Sequence, residues 1–260
     1  MSRLRRARLW GLRLEMSGVM RSVFLGLTMM ALTSVETWDA VFSSENAEEF
    51  MFRALESEFL RGGQLLFTMF MFSGILYQLF FSQTQMRRDE QILLQPVGRL
   101  TLYGDRIFLA IIVSGVYIFY RIGVYWYASI VLQGEEILQL GVGFSLIYLV
   151  ALLVSLGLTL LLSILPIDDL QKGALLVVML TLIISPPVAF LSPGTTLSLF
   201  VLPAVVDILP DSAVSLLEMA TQSTITSSLT PLIIVMVFVL LSMLLYAIVL
   251  SRTETHGRFT

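Results

Sequence analysis

Cysteine is absent from the chain, and its only histidine is His256, near the C-terminal end. Neither a disulfide framework, a thiolate metal site nor a cysteine nucleophile is therefore available. Charge is scarce as well. Asp, Glu, Lys and Arg make up 13% of the residues, against roughly 25% in a soluble domain. No Gly-x-x-x-x-Gly-Lys-Ser/Thr segment occurs, which excludes ATP binding by a P-loop on this chain. HExxH, a Ser–His pair and paired intramembrane Asp residues are missing too, so the sequence does not read as an enzyme and no cofactor is expected on it. A proton-coupled carrier places ionisable groups inside its spans; here only Arg121, and marginally Arg21 and Arg106, come close.

What the sequence has in abundance is apolar length. Hydrophobic residues are 57% of the chain and the mean hydropathy is +0.87. Gly62–Met86 carries no charge over 25 residues, Ile107–Gln133 one in 27, Ile137–Ile167 none in 31 and Gly173–Val206 none in 34. A bilayer core takes about 20 apolar residues as helix. These runs predict an all-α integral membrane protein, a single domain over residues 1–260 with six transmembrane helices. The Arg-rich start lacks a small-x-small site before Glu36, so no cleaved signal peptide is expected.

Residues 1–21 hold six arginines among Leu, Trp and Met, which reads as a basic tail drawn to anionic lipid. The first span is expected over about Gly18–Val35, ended by Glu36 and Asp39, with Trp38 anchoring the outer interface. Residues 36–61 form an acidic outer loop with seven carboxylates against Arg53 and Arg61. Within it Asn46 and Glu49 read as a capping pair, Glu49 reaches Arg53 at i,i+4, and Phe52, Leu55 and Phe59 predict the apolar face of a short helix whose charged face is solvated. The second span covers about Gly63–Ser82, where Met and Phe are read as packing rather than as a substrate path.

The third span starts near Arg106. Arg121 lies 15 residues further on, roughly 22 Å at the helical rise. Tyr117, Tyr120, Tyr125, Trp126 and Tyr127 surround it like an aromatic belt, so Arg121 is expected to snorkel to the outer headgroups as an interfacial charge. The fourth span is about Val142–Leu165. Asp168 and Asp169 are adjacent and so point apart on a helix; they read as a solvated turn rather than a metal site. A helix over about Ala174–Ser185 stops at Pro186-Pro187. Residues 191–229, apolar and interrupted by Pro193 and Pro203, predict an outer re-entrant or surface hairpin. The last span is about Thr230–Ser251. With the basic start inside, 13 of the 16 Lys and Arg fall on the cytoplasmic side and 12 of the 19 carboxylates outside. Both termini are thus expected in the cytoplasm.

Between the second and third spans, residues 84–106 form a cytoplasmic loop too polar for lipid and too patterned for a plain connector. It reads Met86-Arg87-Arg88-Asp89-Glu90-Gln91-Ile92-Leu93-Leu94-Gln95-Pro96-Val97-Gly98-Arg99 and continues to Arg106. This segment resembles the coupling loop of the type-2 ABC-exporter permeases. Glu90 falls at the family Glu, Ile92, Leu93 and Leu94 at its Leu run, Pro96 to Arg99 at its Pro-to-Arg segment, and Arg106 where a Lys opens the next span. Arg87 and Arg88 stand where the family more often has Gly-Thr.

The resemblance implies a cytoplasmic coupling helix, with Glu90, flanked by Arg87, Arg88 and Asp89, in a groove of a cytoplasmic ABC ATPase subunit. It also implies ATP and Mg on that partner, a second permease copy or homologue, and alternating access for an exported substrate. Beside the basic start it implies an interfacial helix, and for the whole a bacterial cytoplasmic membrane. Few internal charges suit lipids, amphiphilic peptides or drugs, and nothing points to nucleic acid. The competing reading is a membrane protein without transport, either an intramembrane enzyme or a scaffold with no ATPase partner.

Overall fold

The computed structural model describes residues 24–60, 63–81, 99–184 and 196–256. The basic start, the Arg87–Pro96 part of the predicted coupling loop and the Pro186–Pro193 segment lie outside the described residues.

Helix α1 covers residues 24–33 and passes through a turn at Ser34 into α2 (Val35–Ser43). Then come α3 (Ala47–Ala54), a π-helical turn (Leu55–Leu60), α4 (Gly63–Phe80), α5 (Arg99–Val131) and α6 (Glu135–Ile164). Helices α7 (Asp169–Ile184) and α8 (Thr196–Val205) lead into a 3₁₀ turn at Val206–Ile208, and α9 (Asp211–Thr221) and α10 (Thr230–His256) complete the chain. All the elements among the described residues are helical.

Among the described residues, three helical stretches are long and apolar enough to cross a bilayer: Tyr103–Val131, Glu135–Ile164 and Thr230–Val249. Helix α4 has 18 residues and α7 has 16.

Helix α6 is the central mast. Two thirds of its apolar window is buried, 67% against 33% for α5 and 22% for α10, and it packs on α3, α4, α5, α7, α8 and α10. Small residues allow this, because helices in an apolar solvent gain most from close backbone approach. A Cβ on Gly141 would meet Tyr125 Cβ of α5 at 2.3 Å, one on Gly143 would meet Leu209 at 2.5 Å, and one on Gly157 would meet Phe238 of α10 at 2.6 Å. Conversely α10 turns Ile233, Ile234, Leu240, Leu241 and Leu244 outward, the face a lipid solvent accepts.

Local chemistry places the short elements. Thr33 and Ser34 turn their hydroxyls back onto the carbonyls of Met29 and Met30 at 2.6 and 2.7 Å, a pairing that bends helices. The helix therefore swings at Ser34 instead of ending, and Glu36 and Asp39, expected to stop the first span, lie inside α2. Asn46 caps α3 by accepting the Glu49 N–H at 2.9 Å, and Glu49 returns to the Glu45 N–H at 2.9 Å and to Arg53 at 2.7 Å. The buried face of α3 is Phe50, Met51 and Ala54, continued by Leu55, while Phe52 is 52% exposed. Of the predicted face of Phe52, Leu55 and Phe59, Leu55 is thus buried and Phe52 is not, while the Phe59 side chain lies outside the described residues.

At the far end of α5, Gln133 takes a left-handed φ of 53° and Gly134 opens α6. Glycine is required at 134 because a Cβ there would lie 2.6 Å from Ala47 Cβ. This contact and the Ser212 hydroxyl on Glu136 at 2.8 Å gather the starts of α3, α6 and α9 at one end of the bundle, the Gly134 end. Helix α8 runs through Pro203, where a break was expected. The chain tightens into the 3₁₀ turn three residues later, at Val206, and the Pro203 carbonyl accepts the Ser228 N–H at 2.8 Å.

Candidate functional site: a buried ion pair among tyrosines

Arg121 does not reach the headgroups. It is 2% exposed, and its Nη2 donates to Glu58 Oε2, of a residue itself 4% exposed. Both expectations about these residues are thereby corrected: Arg121 does not snorkel, and Glu58 is not part of a solvated helix face. The cause is a counterion. A guanidinium within an apolar bundle is stable only when paired and hydrogen-bonded, and the π-helical turn brings Glu58 inward to supply the pairing. Such widened turns occur preferentially at functional sites.

The carboxylate is well supplied with donors. Tyr125 gives its hydroxyl to Glu58 Oε1 at 2.6 Å, and Thr37 gives its own to the same oxygen at 3.1 Å. Thr37 also lies 3.4 Å from Gln64 Oε1, but it has one proton, and the closer, charged acceptor takes it. Gln64 Nε2 donates onward to Glu36 at 3.1 Å. A second chain runs beside the first. Tyr117 donates to Thr33 Oγ1 at 3.2 Å, Thr68 lies 3.0 Å from the Tyr117 hydroxyl, and Thr33 passes its own proton to the Met29 carbonyl.

The guanidinium is held from above as well. Its Cζ lies 3.9 Å from the centre of the Tyr148 ring of α6, with the Tyr117 and Tyr125 rings at 5.9 and 6.0 Å. A desolvated cation over an aromatic face gains about 2 kcal/mol. Arg121 Nε and the hydroxyls of Tyr148 and Ser145 are buried without a hydrogen-bond partner among the described residues.

Six elements thus converge on one neutral pair: α1 through Thr33, α2 through Thr37, the π-helical turn through Glu58, α4 through Gln64 and Thr68, α5 through Arg121 and its tyrosines, and α6 through Tyr148. The chemistry is cohesive. Every donor in the two hydrogen-bonded chains points at a carboxylate, a carbonyl or another hydroxyl, so the arrangement fastens a short helix end into the bundle instead of presenting a nucleophile.

Of the residues singled out in the sequence, Arg99 opens α5, and Arg87, Arg88, Asp89, Glu90, Ile92, Leu93, Leu94 and Pro96 lie outside the described residues. Arg106 is buried, with its guanidinium 4.9 Å from the Tyr103 ring. Asp169 opens α7 and lies 3.7 Å from the Lys172 ammonium. Trp38 is tied to α5, its indole N–H donating to the Tyr120 hydroxyl at 3.1 Å. Among the described residues, no three His, Asp or Glu side chains come together as a metal site would need. Glu58 escaped the sequence reading, yet the sequence carried two signals for it. Tyr117, Arg121 and Tyr125 recur every four residues and so share one helix face, and a lone arginine on such a face calls for a carboxylate.

These features define a helical protein with bilayer-length apolar helices and an ion pair sealed inside. Comparison with family models, with characterised proteins and with solved structures finds no match for the chain.

Proposed function

We propose that this chain is the permease subunit of an ATP-driven exporter, with six spans, both termini in the cytoplasm, and ATP hydrolysis on a partner subunit. The observation that carries the proposal is the patterned segment from Arg87 to Arg106, which joins two apolar helices in a chain with no P-loop of its own. Its last eight residues, Arg99–Arg106, are the first two turns of α5, so a push on the segment acts directly on the helix that bears Arg121. In this reading Glu90 engages a cytoplasmic ATPase, Ile92, Leu93 and Leu94 seat the coupling helix against the bilayer, and Pro96 and Arg99 set its junction with α5. The Glu58–Arg121 pair then ties the outer short helices to the moving span. A second permease copy or homologue completes the pathway, and residues 191–229 form the outer re-entrant segment.

The test is biochemical. Purified in mild detergent, the chain brings down a stoichiometric nucleotide-binding subunit, and Glu90→Lys abolishes stimulated ATP hydrolysis while the variant still elutes as a folded species. Unchanged stimulation in Glu90→Lys, or no ATPase in the wild-type preparation, overturns the proposal.

A further inference from the structure

At the Gly134 end, the π-helical turn and α3 stand beside α9 and leave a groove of about 280 Å³ lined by Phe52, Leu55, Leu216, Leu217, Met219 and Ala220. Every lining side chain is apolar. Phe52 and Met219 are 52% and 68% exposed, so the groove has an open mouth. Its volume lies just below the roughly 300–1,000 Å³ of sites for drug-sized ligands. That accommodates one alkyl or aryl group, not the row of anchors that an amphipathic partner helix inserts.

The surroundings have one sign. Residues 47–60 and 211–221 contain six carboxylates and one guanidinium, Arg53. Glu58 is neutralised by Arg121, and Glu49 holds Arg53, which also donates to Ser43 Oγ at 2.6 Å. Glu48, Asp211 and Glu218 therefore set the local potential. Glu48 is exposed one helical turn before Phe52, on the same face of α3. A cation above the Phe52 ring there meets both an aromatic face and a carboxylate.

We infer that this groove binds a cationic amphiphile, its hydrocarbon between Leu55, Leu216 and Met219 and its positive head between Phe52 and Glu48. The complementarity is double. An anionic amphiphile has the same hydrocarbon but meets three like charges, and a small hydrophilic cation has nothing to place in the groove. The inference does not depend on the chain being an exporter.

The test uses the full chain in phosphatidylcholine nanodiscs and a dodecyltrimethylammonium probe with a photoreactive diazirine near the end of its alkyl tail. Labelling is expected on the peptides carrying Phe52–Leu55 and Leu216–Ala220. Unlabelled dodecyltrimethylammonium should compete, and dodecyl sulfate should not. Ala220→Phe, which fills the groove, should cut labelling at least tenfold. Glu48→Gln should weaken the cation's apparent affinity about two- to fivefold, the range that one exposed charge supplies, and leave a probe with an uncharged maltoside head unchanged. If Ala220→Phe does not fold, Glu48→Lys decides, with a larger loss expected for the cation alone. Equal labelling by cationic and anionic probes, labelling confined to the outward faces of α5 and α10, or indifference to Glu48→Lys each overturns the inference. Because no ATPase is present, these outcomes are separate from the Glu90 experiment: either proposal can fail while the other stands.

Discussion

Tyr125 gives its hydroxyl to one oxygen of Glu58 at 2.6 Å, and Arg121, one turn earlier on α5, gives a guanidinium N–H to the other. Two donors from a single helix face thus grip a carboxylate from a different segment. Taking charges out of water costs several kcal/mol each, and their attraction offsets this only when geometry and further hydrogen bonds are complete. Here they are complete around Glu58, so removing one member should cost far more than removing both.

Glu58→Leu and Arg121→Met singly each leave a buried charge without its partner and should destabilise the protein by about 3–5 kcal/mol. The double variant, which leaves no charge, should recover most of that loss. Thermal unfolding midpoints in detergent check this, read as a double-mutant cycle. Additive effects of the two single changes would show that the pair is not coupled.

Tyr125→Phe keeps the ring that packs on Phe50 and Phe144 and removes only a hydroxyl on a carboxylate, a bond worth about 1.5–3 kcal/mol. Tyr148→Leu removes the ring over Arg121 and should cost about 2 kcal/mol through the lost cation contact, besides lost packing. In an Arg121→Met background the cation part disappears. The penalty of Tyr148→Leu should therefore fall there, and a constant penalty would assign the ring to packing alone.

Much of this architecture was legible beforehand and some was not, for identifiable reasons. Long charge-free runs reveal apolar helices because lipid demands them, and α5, α6 and α10 follow. The Asn46 cap and the Glu49–Arg53 pair were readable because they are local. Glu58 was not, because its burial depends on Arg121, 63 residues away in sequence, and on a π-helical turn that changes the register after Ala54. The tyrosines around Arg121 fit an interfacial belt as well as a cage by composition. Only the four-residue spacing of Tyr117, Arg121 and Tyr125 tells them apart. Pro203 predicts a break, yet α8 carries on through it for two more residues before the α-helix ends at Val205 and gives way to the 3₁₀ turn.

Glu49 adds a pH dependence confined to the short-helix end. The Glu45 N–H first, and then Arg53, hold its carboxyl below the usual glutamate range. The folded carboxylate binds its proton less readily than the unfolded one. Its contribution to the order of α3 is therefore complete above the ordinary glutamate value and is lost as pH falls through the lower folded value. Amide exchange of residues 47–54, corrected for intrinsic rates, should accelerate over that acidic interval in the wild type. Asn46→Ala, which removes the cap at a cost of about 1 kcal/mol, should raise exchange at every pH. A flat pH profile in the wild type would contradict the role given to Glu49.

The glycines of α6 give the sharpest contrast between positions of the same residue type. At Gly141 an added Cβ falls 2.3 Å from Tyr125 Cβ and 2.4 Å from its Cγ. Those atoms sit next to the α5 backbone, so the helices must separate and Tyr125 must move off Glu58. At Gly143 the contact is with Leu209 Cδ2 at 2.5 Å, the tip of a side chain that can rotate away. At Gly123 on α5 nothing lies within 4 Å, so alanine there gains helix propensity of up to about 1 kcal/mol without a clash. Gly141→Ala should therefore cost at least the 1–3 kcal/mol typical of overpacking, Gly143→Ala less, and Gly123→Ala should be neutral or stabilising. Combining Gly141→Ala with Tyr125→Phe tests the mechanism. If the clash acts by pulling Tyr125 away from Glu58, the hydroxyl is already idle in the Gly141→Ala protein, and removing it should add little. Full additivity would mean that Tyr125 keeps its bond and the strain is absorbed elsewhere between α5 and α6.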